Sequence, residues 1–168
     1  EEVPSHGTIS VDGVILNEIK KRQIPYFRRK LGIVFQDFRL IPTMTVFDNV
    51  AFAMRVIGAK EKKIRKRVPY VLSLMGLPQK ARNYPNELSG GEQQRVAIAR
   101  ALANNAEIII ADEPTGNLDP DTGAEIMELL YRISKAGISV IISTHNVLWP
   151  ERYQGRKLSF RDGYIYEM

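Results

Sequence analysis

The sequence has no cysteine and no long apolar run, and both absences narrow what the chain can be. Without cysteine, disulfide bonds and metal sites built from thiolates are excluded. No apolar run approaches the ~18 residues that a membrane-spanning helix needs. With 168 residues, of which 44% are hydrophobic and 26% charged, the chain has the size and composition of one globular domain or most of one.

The phosphate-binding motif G-x-x-x-x-G-K-S/T is absent as well, since none of the 12 glycines is followed by Lys-Ser or Lys-Thr. That loop supplies the backbone N–H groups and the lysine that grip the β- and γ-phosphates of a nucleotide. We therefore expect this chain alone to be inactive in nucleotide hydrolysis.

What the sequence does contain is a strong helix start at residues 88–95, Leu-Ser-Gly-Gly-Glu-Gln-Gln-Arg. Ser89 and Glu92 form a capping box, which predicts that a helix begins here. Gly90 and Gly91 leave its first turn without side chains, so that another molecule can approach the backbone. The free N–H groups and the positive end of the helix dipole suit an anion such as phosphate. An ordinary capped helix with two flexible glycines is the alternative.

An apolar run at residues 108–111 ends in two carboxylates, Asp112 and Glu113. A short apolar run bounded by polar residues predicts a strand that is buried on both faces of a parallel sheet. Ligands bind at the carboxyl ends of such strands. The alternative is a core strand that ends in an acidic turn, which Pro114 and Gly116 favour.

Two more apolar segments, residues 32–36 and 138–143, predict strands that end in polar side chains. The first ends at Gln36, and the second delivers His145 to the same edge of the sheet. Taken alone, the glutamine would be a surface residue and the histidine a structural one. Before the second of these segments, Asp119 precedes a proline, which predicts another helix start.

Together these segments resemble the ABC-type ATPases over nearly the whole chain. Residues 88–95 resemble the family's signature motif, Asp112 the end of its Walker B strand, and Gln36 its Q-loop. The resemblance implies ATP and Mg²⁺ as ligands and an α/β fold of the P-loop NTPase kind, a mostly parallel sheet with helices on both faces. It also implies a single domain over residues 1–168, with a helical subdomain at residues 46–103 that contains the signature motif.

The resemblance assigns a role to each of these polar residues. Glu113 orients or deprotonates the attacking water, and His145 contacts the γ-phosphate, although Asn146 follows it where the family usually has Asp. Asp112 and Gln36 help to bind Mg²⁺. The signature residues contact the ATP held by a partner subunit; they are Ser89, Gly90, Gly91 and Glu92. Asn117 and Asp119 belong to the D-loop, which makes contacts across the dimer interface.

Two stretches narrow the resemblance within the family. Residues 23–30 and 35–42 resemble the cell-division ATPases, whereas relatives in lipoprotein release and macrolide export usually lack the Asp-Phe-Arg run at residues 37–39. The resemblance implies a cytoplasmic homodimer on the inner face of the cell membrane. The two subunits, arranged head to tail, hydrolyse MgATP and drive a membrane protein docked at the Q-loop and the helical subdomain.

The sequence also allows other interpretations of its function. In the first the chain is an ATPase of the release or export kind, and in the second it is a fragment that supplies only signature contacts. A chromosome-maintenance ATPase is disfavoured, because the chain has no coiled-coil heptads. In the family the phosphate loop precedes the segment that residues 1–13 resemble, so we expect the sequence to begin partway through the domain.

Residues 46–58 and 60–75 are predicted to be helices, the first capped by Thr45. An apolar stripe on the first helix packs on the core or receives a helix of the membrane partner. Pro69 is expected to kink or split the second helix.

The chain carries a net charge of +5, and half of its 24 basic residues fall in two clusters. Such clusters form solvated helix faces, bind anionic lipid headgroups or bind nucleic acid. Nucleic acid is disfavoured, because no aromatic residue interleaves with the second cluster. The clusters are Lys20, Lys21, Arg22, Arg28, Arg29 and Lys30, and then Lys60, Lys62, Lys63, Arg65, Lys66 and Arg67.

Overall fold

The computed structural model describes residue 4 and residues 6–168, so residues 1–3 and 5 of the predicted N-terminal segment lie outside the described part. The strands are β1 (Ser10–Val11), β2 (Val14–Ile15), β3 (Leu31–Val34), β4 (Ile108–Asp112), β5 (Ser139–Ser143), β6 (Leu158–Arg161) and β7 (Tyr164–Glu167). The helices are α1 (Ile24–Arg28), α2 (Val46–Val56), α3 (Glu61–Leu74), α4 (Gly90–Leu102), α5 (Pro120–Lys135) and α6 (Leu148–Arg152).

Strands β3, β4 and β5 form a parallel sheet in that order, as their apolar runs predict. Val34 pairs with Ala111, which pairs with Ile142 on its other side. One step further, Asp112 pairs with Ser143. The predicted α/β fold with a parallel sheet is therefore confirmed, and the carboxyl ends of the three strands lie at one level.

The described residues cover one face of this sheet better than the other. On the covered face Ile109 and Ala111 are fully buried in a core that includes side chains of α4 and α5. On the opposite face Ile33 is 36% exposed and Ile141 is 58% exposed. The apolar run of β4 predicts a strand buried on both faces of the sheet. Only one face is well buried, because the described core packs against the face that carries Ile109.

Helix α2 packs against both α3 and α4, and α4 packs against β3. The Thr45 hydroxyl accepts a hydrogen bond from the Asp48 N–H at 3.1 Å, so the predicted cap of α2 is confirmed. Val50, Ala51 and Met54 of the predicted apolar stripe are buried in the core. Most of the stripe is therefore used for packing within the chain.

Helix α3 runs without a break through Pro69, so the predicted split is wrong. A proline here removes only the hydrogen bond to the carbonyl of Arg65, and Pro69 is exposed, where water can reach that carbonyl. Ile64, Val68 and Leu72 hold the helix in the core on its other side. Their packing outweighs the local penalty of about 3 kcal/mol for a proline inside a helix.

Two antiparallel hairpins, β1–β2 and β6–β7, turn at Asp-Gly pairs, as such pairs predict. Asp12 and Gly13 have φ of 50° and 71°, and Asp162 and Gly163 have φ of 50° and 81°. Positive φ at both central residues is the requirement of a type I′ turn, which explains why this dipeptide occurs at both places.

The loop that follows β3 is held by an arginine of α4. Phe38 and Arg39 have φ of 57° and 46°, a region that residues other than glycine seldom adopt. Arg100 Nη2 donates to the Phe38 carbonyl at 2.8 Å, and its Nη1 donates to the Arg39 carbonyl. Burial lowers the pKa of Arg100, so these two carbonyls replace water around a guanidinium that is costly to bury. The unusual loop conformation thus depends on Arg100.

We predict that Arg100→Met lowers the free energy of unfolding by about 2 kcal/mol, since hydrogen bonds to charged groups contribute about 1.5–3 kcal/mol. Arg95→Met on the same helix is the matched control. Arg95 pairs with the exposed Glu125 at 2.7 Å, and surface ion pairs contribute about 0–1 kcal/mol. Urea unfolding measures both losses. Equal losses would contradict the role assigned to Arg100.

Candidate functional site

The polar residues that follow the strands meet at one edge of the sheet, as the parallel register requires. Asp112 ends β4 and Ser143 ends β5, and Ser143 Oγ donates to Asp112 Oδ1 at 2.6 Å. Asp112 is exposed, and this hydroxyl fixes the orientation of its carboxylate. The sheet therefore presents an acidic group at its carboxyl edge, as the sequence predicts.

Glu113 and His145 are joined by two contacts at the same edge. The His145 backbone N–H donates to Glu113 Oε1 at 2.7 Å, and His145 Nδ1 lies 2.8 Å from the same oxygen. The Glu113 side chain is 22% exposed, whereas the His145 side chain is 82% exposed. The carboxylate is thus sheltered while the imidazole is open to solvent.

The backbone of Glu113 is in an uncommon conformation, with φ of 43°. Its N–H donates to the Ser143 carbonyl at 3.0 Å, and its carbonyl accepts from the Gly116 N–H at 3.0 Å. Gln94 Nε2 donates to the carbonyl of Pro114 at 2.8 Å from a fully buried position in α4. Such backbone strain costs on the order of 1–3 kcal/mol, and these hydrogen bonds hold it in place.

Gln36 and Asn117 exchange hydrogen bonds and so join the loop after β3 to the loop before α5. Gln36 Nε2 donates to Asn117 Oδ1 at 3.3 Å, and Asn117 Nδ2 donates to the Gln36 carbonyl at 3.0 Å. A Cβ at Gly116 would lie 2.6 Å from Gln36 Nε2, so a larger residue there would push the Gln36 side chain away from its present position. Two of the predicted site residues are therefore in direct contact.

Ser89 begins α4, and the predicted capping box is confirmed. Ser89 Oγ accepts from the Glu92 N–H at 3.2 Å, and Glu92 Oε2 accepts from the Ser89 N–H at 2.9 Å. The Ser89 N–H, together with the ammonium group of Lys80 at 3.1 Å, lowers the pKa of the Glu92 carboxyl. Ser89 itself is exposed, so the start of this helix can meet another molecule.

The two glycines of the signature segment have different surroundings. Gly91 is buried, and a Cβ there would lie 2.4 Å from Cγ2 of Thr122, where α4 and α5 approach each other. Gly90 is half-buried, and a Cβ there would lie 3.2 Å from Cδ2 of Leu118. The missing side chain of Gly91 serves contact within the chain, so the predicted opening for another molecule is limited to Gly90.

Asp119 caps α5, as an aspartate before a proline predicts. Its Oδ1 accepts from the Thr122 N–H at 3.0 Å. Hydrogen bonds from Thr122, through its hydroxyl and then its backbone N–H, lower the pKa of the Asp119 carboxyl. This geometry accounts for Asp119 as a helix cap, and its role at a dimer interface stays a prediction.

The loop before α5 connects the predicted site residues at the strand ends with those at the start of α4. Within that loop Asn117 contacts Gln36, and its neighbour Leu118 lies against Gly90 at the start of α4. Glu113 and His145 lie at the adjacent strand ends. A movement of this loop would therefore change the contact with Gln36 and the contact with Gly90 at the same time.

Two residues of α4 that support the site, Gln94 and Arg100, were not predicted from the sequence. Gln94 holds the turn after Glu113, and Arg100 holds the loop after Gln36. The sequence contains a signal for Arg100, which is the one polar residue among the apolar residues 96–102, but none for Gln94, which lies in the polar run at residues 92–95. A buried polar side chain usually has a specific hydrogen-bonding partner.

Asp112 and Gln36 offer oxygen donors that suit Mg²⁺ at neighbouring strand ends. Across residues 4 and 6–168 no group of three or more His, Cys, Asp or Glu side chains could hold a metal ion. Mg²⁺ commonly uses one or two protein ligands and takes the rest from phosphate and water. The donor set therefore fits an ion that arrives with a nucleotide.

Comparison with known sequences gives a family and named relatives. The family model described as ABC transporter matches residues 1–116. The cell division ATP-binding protein FtsE of Bacillus subtilis is 51% identical over 98% of this chain and 72% of its own length. FtsE of Escherichia coli strain K12 is 42% identical over 98% of this chain and 74% of its own length.

Comparison with solved structures gives the same family. The ATP-binding cassette MJ0796, solved as a dimer in a post-hydrolysis state with ADP and Pi, has a TM-score of 0.80 and 37% identity. That match covers 99% of this chain and 75% of MJ0796. The cbiO1 protein of Clostridium perfringens, part of the ABC transporter complex cbiONQ, has a TM-score of 0.89 and 34% identity, over 97% of this chain and 65% of its own. The chain belongs to the ABC transporter family.

Proposed function

We propose that this chain is the ATP-binding subunit of a cell-division complex, and that it hydrolyses MgATP to drive a membrane subunit similar to FtsX. The activity is that of an ABC-type ATPase. One observation carries the proposal, namely the Glu113 carboxylate held by His145 at the carboxyl end of a parallel sheet. The identity of about one half to FtsE proteins over nearly the whole chain supports the cell-division role.

Glu113 is the residue that we assign as general base. In the described part of the chain, hydrogen bonds to its side chain reach only Oε1, which leaves Oε2 to accept a proton from water. His145 fixes the carboxylate on one side, and its exposed ring is available to a γ-phosphate. A positioned base of this kind contributes about 10²–10⁴-fold in rate.

Asp112 and Gln36 are the residues that we assign to the metal ion. When bound, Mg²⁺ supplies positive charge that neutralises the β- and γ-phosphate oxygens. Ser143 keeps the Asp112 carboxylate in one orientation, and Asn117 keeps Gln36 at the edge of the sheet. These two contacts support the assignment, because ligands that are held in position before the nucleotide arrives favour catalysis by positioning.

The exposed start of α4 is the part that we assign to a partner subunit's ATP. Ser89, Gly90, Gly91 and Glu92 form the first turn of this helix or its cap, where backbone N–H groups and the helix dipole favour phosphate. The dimeric MJ0796 cassette supports a homodimer, and we propose that its two subunits are arranged head to tail. Asn117 would then connect the dimer interface with Gln36, because the two residues exchange hydrogen bonds.

The loop after β3 and the exposed side of α2 are the parts that we assign to the membrane subunit. Phe38 and Arg39 form the left-handed turn of that loop, and Phe52 and Val56 on α2 are 41% and 66% exposed. Exposed apolar side chains suit contact with a partner. Nowhere in residues 4 and 6–168 is a helix both long and apolar enough to cross a membrane. We propose a peripheral position on the cytoplasmic face, held by the membrane subunit.

The proposed function predicts that Glu113→Gln lowers ATP turnover by about 10²–10⁴-fold while nucleotide binding is kept. The assay uses protein that combines this chain with a phosphate-binding loop. Glu107→Gln is the matched control, because Glu107 lies at the opposite end of β4, where it pairs with Lys30 at 3.1 Å. Steady-state turnover of Glu113→Gln within a few-fold of the control would contradict the assignment of the base.

A second prediction concerns the dimer. Ser89→Arg should leave nucleotide binding by one subunit intact and abolish the ATP-dependent dimer, because the large cation fills the approach to the helix start. Size-exclusion chromatography with MgATP, on a background that cannot hydrolyse, measures the dimer. Ser89→Ala controls for the lost helix cap, which alone costs about 1 kcal/mol of stability. If Ser89→Arg still dimerises, Ser89 is only a cap.

A further inference from the structure

The exposed side of α3 carries positive charge that the rest of the described chain does not neutralise. Lys62, Lys63 and Lys66 are exposed. None of their ammonium groups has a carboxylate oxygen within 4.0 Å among the residues that the structure describes. The segment of residues 49–86 contains nine basic residues and a single acidic one, Glu61. This side of the helix is therefore a concentrated positive surface.

The two arginines of the same helix are used within the chain. Arg65 pairs with Glu61 one turn earlier, at 3.4 Å. Arg67 Nη2 donates to the Leu102 carbonyl at 2.9 Å and so ties α3 to the end of α4. Their charges have structural partners, which separates them from the three lysines.

The position of the lysines is unfavourable for the helix itself. Helix α3 begins at Glu61, so Lys62 and Lys63 lie in its first turn. Acidic side chains are preferred there, because the helix dipole is positive at that end. Glu61 supplies one acidic side chain in this turn, but it pairs with Arg65, so the two lysines have no acidic partner among the described residues and their charge is available to a partner outside the chain.

The same side of α3 becomes apolar toward its C-terminal end. Tyr70 and Leu74, one turn apart and in line with Lys63, are 55% and 54% exposed. Cations combined with an exposed tyrosine and an aliphatic residue are typical of helices that lie at a membrane interface. Single-stranded nucleic acid stacks successive bases on several aromatic side chains, and residues 60–74 contain a single one, Tyr70.

We infer that this side of α3 binds an anionic membrane surface, with the lysines at the headgroups and Tyr70 and Leu74 at the boundary of the acyl chains. The choice of a membrane also rests on the proposed function, which places the chain beside a membrane subunit. The contact would orient the ATPase independently of that subunit. The side consists of Lys62, Lys63, Lys66, Tyr70 and Leu74, and we call it the α3 face.

The test is co-sedimentation of the full chain with phosphatidylcholine vesicles that contain phosphatidylglycerol, and with vesicles of phosphatidylcholine alone. Each basic side chain near an anionic surface contributes roughly fivefold in affinity. The triple variant Lys62→Gln, Lys63→Gln, Lys66→Gln should therefore bind the anionic vesicles about 100-fold more weakly. Glutamine is a good helix former, so α3 should persist, and circular dichroism checks this.

The matched control removes the same charge from the first basic cluster, as Lys20→Gln, Lys21→Gln, Arg22→Gln. These three residues are also exposed, and this variant should keep most of the binding. Equal loss in both variants, or full binding by the α3 variant, would overturn the inference. So would a loss of binding to duplex DNA or RNA that spares the vesicles.

The vesicles contain no protein, so this result does not depend on a membrane subunit. In protein that also contains a phosphate-binding loop, ATP turnover by the α3 variant without vesicles should stay near that of the unmodified protein, because the α3 face includes none of the site residues. A failure of the proposed function would appear in the turnover of Glu113→Gln. A failure of this inference would appear only in the vesicle assay.

Discussion

The parallel register of β3, β4 and β5 is the constraint on which the rest of the structure depends. Because Val34, Ala111 and Ile142 lie side by side, the next residues of all three strands emerge at one level. Short hydrogen bonds between neighbouring strand ends then become possible, above all the contacts of Glu113 with His145. A slip of one residue in this register would turn every side chain to the other face and separate these groups.

The site also contains backbone conformations that are unfavourable on their own, and helix α4 holds them. Glu113 has positive φ beside β4, and Arg39 has positive φ after β3. Gln94 and Arg100 of α4 donate hydrogen bonds to carbonyls in these two loops. Because the helix that begins at the signature segment also secures both loops, its position and the position of the reacting groups are coupled.

The features that could be predicted from the sequence depend on residues close to one another in the chain. The cap at Ser89, the helix start at Asp119 and the Asp-Gly turns all follow local rules, and so do the apolar runs of the strands. What could not be predicted depends on distant partners. Gly91 is a glycine because Thr122 packs on it, and α3 continues through its proline because core packing holds it. The same reason applies to Gln94 and Arg100, whose partners lie in other elements.

The most direct test of the account is a double-mutant cycle in ATP turnover between Glu113→Gln and His145→Ala, in protein that includes the phosphate loop. If the two residues act as one unit, the double variant should lose about as much turnover as Glu113→Gln alone, since residues of a unit are strongly non-additive. If the two losses multiply, Glu113 and His145 act independently, and the contact between the strand ends is not the basis of catalysis.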